Sequence, residues 1–333
     1  MRRIHSGYAA LVLSFGALCG ILRAAQAPQI STEASAHLTE IISALQKEWL
    51  HRDKMDWGTF RQRVFQQAGA AQTIPETYEA IRLGLTLLGD KHSHYVTAEG
   101  KSIFNPASPT QSTGECTPAE PVTPPLPAGV GYVRIQITPA TSTAAIQEAL
   151  RKGDGKDIVG WIVDLRNSRG GNMWPAMAGI GSLLGDGIAG FFVDAAKKAT
   201  PWGYKDGEAW LDDHAVARVD APYKMIVANP RVAVLTDIGV ASSGEAVAIA
   251  FRGRPNTRSF GTPTCGLSTA VKQIPLSRGG QRLPFSQSAR IAVVTSVMAD
   301  RGKNPYGGTV PPDELVTEPA DVVPRALRWL RGS

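Results

Sequence analysis

The sequence predicts an α/β (α+β) fold: a mixed sheet, parallel in part, covered by helices and preceded by a small helical domain. Three observations lead there. From Gly129 onward, strand-like and helix-like segments alternate, a pattern that argues for a sheet layered with helices. Two of the strand-like segments, DIVGWIVDLRN and RVAVLTD, are apolar on both faces, as strands covered on two sides must be. Ahead of them, residues 31–95 carry apolar side chains at helical spacing.

The first 27 residues read as an export signal: MRR supplies positive charge, YAALVLSFGALCGIL an apolar run, and AAQA a small-residue end. The run is short for a bilayer span. Pro28 after Ala27 is an awkward cleavage position, so a retained membrane anchor is the alternative. A buried N-terminal helix is the weaker option, given the arginine pair. Cys19 lacks the preceding small residue of a lipid-attachment site.

Residues 28–99 form the predicted helical domain. HLTEIISALQKEW is amphipathic, and TIPETYEAIRLGLTLLGD opens on Thr73, Pro75 and Glu76, the makings of a capping box. That helix is expected to stop near Gly89-Asp90, leaving DKHSHYV after it. Residues 100–127 are rich in Pro, Ser and Thr and read as a linker or long surface connection. The core is assigned to 128–333, with a β-rich cap insertion at about 187–228.

Composition narrows the function. Hydrophobic residues make up 43% and charged residues 19%, an ordinary core-forming balance that excludes disorder of the whole chain. Net charge is +6 without a dense Lys/Arg run, so nucleic acid is not an expected partner. Of the three cysteines, Cys116 and Cys265 survive signal cleavage. An exported compartment permits them a disulfide, though the sequence does not say whether they meet. No Cys/His spacing suggests a metal site, and no cofactor is expected. GDGIAG at 185–190 has the spacing of a dinucleotide loop but follows a helix and opens none, the reverse of the required context.

Ligands in open α/β sheets bind at the carboxyl ends of strands, and two such ends are unusual here. WIVDLR runs into NSRGGN, whose glycines can aim backbone N–H groups into one concavity or serve only as a tight turn. VAVLTD runs into IGVASSGE, where Ser242 or Ser243 is either a helix cap or a nucleophile with its neighbour's N–H at the oxyanion. The spacing is not the G-x-S-x-G elbow. A nucleophile needs a base, and His92 and His94 after the helical segment are the candidates.

Together these segments resemble the S41 family of serine peptidases, the tail-specific or C-terminal-processing proteases and their relatives. GWIVDLRNSRGGNMWPAMAG is similar to the family's DLR-x-N-x-GG strand and turn, with Ser168 where the family has Asn. VAVLTDIGVASSGEAVAIAFRGRPNTRSFGTPTCGLS is similar to its nucleophile strand and helix followed by its G-x-x-T-x-G turn, and YGGTVPPDELV to its closing strand. The resemblance implies a ClpP/crotonase-like core, Ser242 as nucleophile, and an oxyanion hole from Ser243 with Gly170 or Gly171. The processing proteases place a lysine base after the T-x-G glycine; this chain has Leu267 there, and no room for their PDZ module. It is more similar to the branch of nisin-resistance proteins and tricorn-like cores, which pair the serine with a histidine from the helical part. His92 in GDKHSHY takes that position. Val240 stands where that branch more often has Thr. Asp300 is the implied acid orienting the imidazole, with Glu245 and Asp90 as alternatives. The implied protein is an exported serine peptidase acting on extended polypeptides, often near their C-termini. A catalytically silent peptide-binding protein and an esterase on the same fold are the other readings.

Overall fold

The computed structural model describes residues 29–109, 116–138 and 141–332. The N-terminal segment predicted as an export signal or anchor lies outside them. Among the described residues, no helix is long and apolar enough to cross a membrane.

Three helices open the chain: α1 (Thr32–Glu48), α2 (Trp57–Ala68) and α3 (Tyr78–Leu88). Each begins where the sequence supplies an acceptor or a turn. Ser31 accepts the Ala34 N–H at the start of α1, and Asp56 accepts the Gly58 and Thr59 N–H groups at the start of α2. Such caps stabilise a helix by about 0.5–2 kcal/mol. At Thr73 the outcome differs from a simple capping box: Glu76 accepts from the Gln72 N–H and the Thr73 hydroxyl, a 3₁₀ turn covers Pro75–Thr77, and α3 starts only at Tyr78. It stops at Leu88 because Gly89 turns left-handed, at φ 75°.

The helix thus ends where the sequence places its stop, near Gly89-Asp90. The strands β1 (His94–Val96) and β2 (Ser102–Phe104) form an antiparallel pair, so β2 sits inside the Pro/Ser/Thr-rich stretch. From there the elements are β3 (Val130–Arg134), α4 (Thr143–Gly153), β4 (Gly160–Asp164), α5 (Trp174–Leu184), the meander β5 (Gly187–Asp194), β6 (Ala199–Lys205), β7 (Glu208–Leu211) and β8 (His214–Arg218), then β9 (Val232–Thr236), α6 (Ser243–Ala250), β10 (Thr257–Gly261), β11 (Thr269–Pro275), β12 (Arg290–Asp300), β13 (Glu314–Leu315) and α7 (Pro319–Leu330).

Parallel and antiparallel strands are sorted into two sheets. One is parallel, in the order β13-β10-β9-β4-β3; the other is antiparallel, β2-β1-β12-β5-β6-β7-β8, with β11 on the opposite edge of β12. In the parallel sheet, β4 and β9 are buried along their whole length. One of its faces packs Trp161, Val163 and Val234 against α4, α5 and α6 in the largest core, and the other packs Ile162, Ala233 and Phe260 against α7.

The 11-residue strand β12 joins the N-terminal layer to the rest. Its first half pairs with β1 through His94↔Ala292 and Tyr95↔Ile291; its second half pairs with β5 through Val297↔Val193 and Met298↔Phe192. Helices α1 to α3 bury Leu38, Ile42, Phe60 and Leu85 with Ile291 and Val293 of this strand. The segment bearing His92 is therefore tied to the core through a shared strand.

Candidate active site

The carboxyl ends of β4 and β9 lie side by side, and the loops leaving them interlock. The Asp237 carboxylate accepts the N–H groups of Asn167 and Gly239, both at 2.9 Å. The Ala241 N–H donates to the Ser168 carbonyl at 3.0 Å. Ser242 follows at φ 52°, ψ −114°, a region that non-glycine residues enter only when the surroundings hold them, at about 1–3 kcal/mol of strain. Helix α6 starts at the next residue. The turn thrusts a half-buried serine out of the strand–helix junction.

The two adjacent serines are not equivalent. Ser243 is buried, and its hydroxyl donates to the Gly171 carbonyl at 2.6 Å. That bond fixes the glycine loop against the elbow. Gly170 and Gly171 have φ 113° and 144°. A Cβ on Gly170 would lie 2.8 Å from the Ala241 carbonyl oxygen and 2.9 Å from Ser242 Cβ, so only glycine permits the approach. Among the described residues, the N–H groups of Gly170, Gly171 and Ser243 have no acceptor.

One buried carboxylate organises the other side. Glu245 is fully buried and accepts four hydrogen bonds: from the Ser242 N–H at 2.7 Å, the Thr264 hydroxyl at 2.6 Å, and the Gly266 and Leu267 N–H groups, both at 2.9 Å. Burial pushes its pKa up to about 7 against the downward pull of those donors. The loop it holds is anchored again by the Cys265 N–H, which donates to the Val240 carbonyl at 2.9 Å. A disulfide to Cys116 anchors it a third time, a pairing no sequence signal revealed. Beyond Cys116, Pro118 lies against Gly239, and Arg166 donates to the Val122 carbonyl and the Thr123 hydroxyl. The described part of the stretch read as a linker is thus strapped across the ends of the parallel strands.

His92 faces the same loop. Its Nδ1 lies 2.8 Å from Thr269 Oγ1, while its backbone N–H donates to Asp90 Oδ1 at 2.9 Å. Burial, with a smaller contribution from His94, pulls its pKa down to about 4, so the ring is neutral near neutral pH. A cleft of about 450 Å³ opens between this histidine and the loop, lined by Asp90, His92, Gly266, Leu267 and Thr269 among others. His94 turns elsewhere: it stacks on Phe104 and donates through Nδ1 to the His92 carbonyl.

Asp300, the acid expected to orient the imidazole, is not beside it. Thr269, which meets the His92 ring, is in register with Val297, and Asp300 lies three residues further along β12, roughly 10 Å at about 3.3 Å per residue. Its carboxylate accepts instead from the Gly302 and Asn304 N–H groups, the Asn304 amide and the Tyr306 hydroxyl, a turn-closing role. The alternatives are engaged as well. Glu245 has its four donors, and Asp90 accepts from His92, Ser93 and the Trp49 indole. Thr269 had no motif to single it out, and only its contact reveals it. Among the described residues, no cluster of His, Cys, Asp or Glu is arranged to hold a metal ion.

Comparison with known proteins gives a consistent result. The model of peptidase family S41 matches residues 129–311, more than half of the chain. The nisin-resistance protein of Lactococcus lactis subsp. lactis is 24% identical over 284 residues, covering 85% of this chain and 82% of its own length. Among solved structures, a lipoprotein from Streptococcus agalactiae superposes with a TM-score of 0.67 at 20% identity, over 91% of this chain and 98% of its own. The photosystem II D1 C-terminal processing protease gives 0.54 at 16% identity, over 86% and 94%. At these identities the structural likeness establishes the fold.

Proposed function

This chain belongs to peptidase family S41 and is a serine-type peptidase; we propose that it cuts extended polypeptides through Ser242 and His92, with Ser243, Gly170 and Gly171 supplying the oxyanion hole. The observation that carries the reading is the backbone of Ser242. Ser242 forms a capping box with Glu245 at the start of α6, but a cap does not call for a non-glycine residue at positive φ, and strain of that kind, in a part-exposed serine beside two glycines, collects at functional sites. Ser243 is the poorer nucleophile because its hydroxyl is committed to Gly171.

His92 takes the proton from Ser242 as the oxygen attacks the peptide carbonyl. The oxyanion draws on the unpaired N–H groups of Ser243 and the glycine pair, each such donor contributing about 10²–10³ in turnover. His92 then gives the proton to the leaving amine, and water repeats the sequence on the acyl-enzyme. With Leu267 where a lysine base would stand, the chemistry fits the histidine-using branch, to which the nisin-resistance relative lends support. Glu245 contributes by holding the Ser242 N–H and the 264–267 loop in one frame.

The protein is proposed to be exported, cleaved from its N-terminal signal or tethered by it. The Cys116–Cys265 disulfide favours an oxidising compartment, and a structural neighbour described as a lipoprotein is in keeping with this. Substrates are proposed to be polypeptides in extended form, taken near a free C-terminus.

A peptide library incubated with wild type and with Ser242→Ala, and read by mass spectrometry, tests the reading. Cleavage by wild type alone is expected, with positions clustered toward carboxyl ends. Equal cleavage by both proteins, or a fluorophosphonate probe that labels Ser242→Ala as fully as wild type, would sink the assignment.

A further inference from the structure

Among the described residues, no carboxylate meets the imidazole of His92, where a Ser-His pair usually carries one, and the side chain at its inner nitrogen is the Thr269 hydroxyl. The three acids the sequence offers for that role are each engaged elsewhere. Asp90 Oδ1 takes the N–H groups of His92 and Ser93, and Oδ2 takes the Trp49 indole and the Ser93 hydroxyl. Glu245 Oε1 takes Thr264 and Gly266, and Oε2 takes Ser242 and Leu267. Asp300 closes its own turn.

Thr269, by contrast, is fixed from two sides and turned toward the ring. It is the first residue of β11, in register with Val297 of β12, and its N–H donates to the Leu267 carbonyl at 2.7 Å. Its hydroxyl reaches His92 Nδ1 at 2.8 Å across 177 residues of sequence. The side chain is only partly buried, so water can take the hydroxyl proton while the oxygen accepts from the ring.

We propose that Thr269 is the positioning residue of the site: its hydroxyl oxygen accepts the Nδ1 proton of His92, which fixes the ring and leaves Nε2 as the lone-pair nitrogen. The assignment rests on the Ser242–His92 reading for its catalytic meaning, though not for its geometry. An imidazole held the other way, with Thr269 donating to Nδ1, would carry its proton on Nε2 and could not accept one from a serine. A hydroxyl partner orients the base without placing a negative charge beside the imidazolium, so the site works as a dyad with a neutral prop.

Nitrogen NMR of the full chain labelled with ¹⁵N-histidine tests this, the His92 signals being identified by their loss in His92→Asn. Wild type and Thr269→Ser are expected to show the Nδ1–H form. Thr269→Val is expected to populate the Nε2–H form and to lose about 10²-fold in kcat, the cost of a misplaced catalytic group, with KM within about twofold and with Thr269→Ser near the wild-type rate. Circular dichroism of each variant controls for folding. An Nε2–H ring in wild type, or a Thr269→Val protein with unchanged tautomer and unchanged kcat, overturns the proposal. If no peptide is turned over by any form, the dyad reading fails, and the NMR comparison still decides whether Thr269 holds the ring.

Discussion

The backbone N–H of Ser242 donates to the carboxylate of Glu245, three residues on, at 2.7 Å. The strained residue is thus pinned by an acid of its own helix, and that acid is pinned in turn by the loop that runs on to Thr269. Strain of this kind is kept where the surroundings over-determine it, and it can be relieved by a residue that tolerates positive φ.

Ser242→Gly is therefore expected to be more stable than wild type by about 1 kcal/mol, the released strain less the extra flexibility of glycine in the unfolded chain, while losing peptidase activity. Urea midpoints for Ser242→Gly, Ser242→Ala and wild type check this. A glycine variant less stable than the alanine variant would show that the backbone there is not strained.

Gly170→Ala places a methyl group against the Ala241 carbonyl and Ser242 Cβ. The loop must retreat, carrying its N–H groups with it. Turnover should fall by about 10²–10³, as for loss of one oxyanion donor, with a smaller change in KM. Steady-state kinetics on one cleaved peptide decide it; an unchanged kcat would place the oxyanion elsewhere.

The pH response carries two opposite signs. Burial holds His92 and His37 down at about 4 against an ordinary 6.5. Between pH 6.5 and 4 the unfolded chain takes up protons that the folded one resists, so their contribution to stability shrinks as pH falls, by up to about 3 kcal/mol each. His92→Asn should gain on wild type as pH drops from 6.5 toward 4. Glu245, raised to about 7 from 4.5, acts the other way: its contribution is full below pH 4.5 and is lost as pH rises through 7. Glu245→Gln should gain on wild type over that rise. Urea titrations at pH 4.5, 6 and 7.5 separate the two. The acid limb of kcat/KM should lie below pH 6, since the base is already neutral there.

Reduction of the Cys116–Cys265 bond, or Cys116→Ser, should cost about 2–4 kcal/mol of stability. It also releases the strap that Pro118 lays on Gly239. Thermal unfolding with and without reductant measures the first effect. Limited proteolysis near residues 116–123 measures the second, and resistance there in the reduced protein would mean that Arg166 alone holds the strap.

Much of this site is legible in the chain, and the reason is local. Glycines at 170 and 171, and serines opening a helix after an apolar strand, announce backbone demands that neighbours in sequence create. Asp300 misleads because its place in the pattern says nothing of its register: β12 carries it three residues past Val297, the partner of Thr269, and into a turn of its own. Residues 94–96, left without an assignment after the helix, become a strand because β12, some two hundred residues later, offers them a ladder.

By itself, the sequence determined the alternation of strands and helices, the buried pair β4 and β9, and the turns at which Ser242 and the two glycines sit. Periodicity and allowed backbone angles are properties of a few consecutive residues. Tertiary structure decided which serine hydroxyl is committed, since Ser243 meets Gly171 72 residues away. It also decided that Cys116 meets Cys265 across 149 residues and that a threonine, not an acid, stands at the His92 ring. Those contacts depend on strand register and loop closure, which no short window of sequence contains.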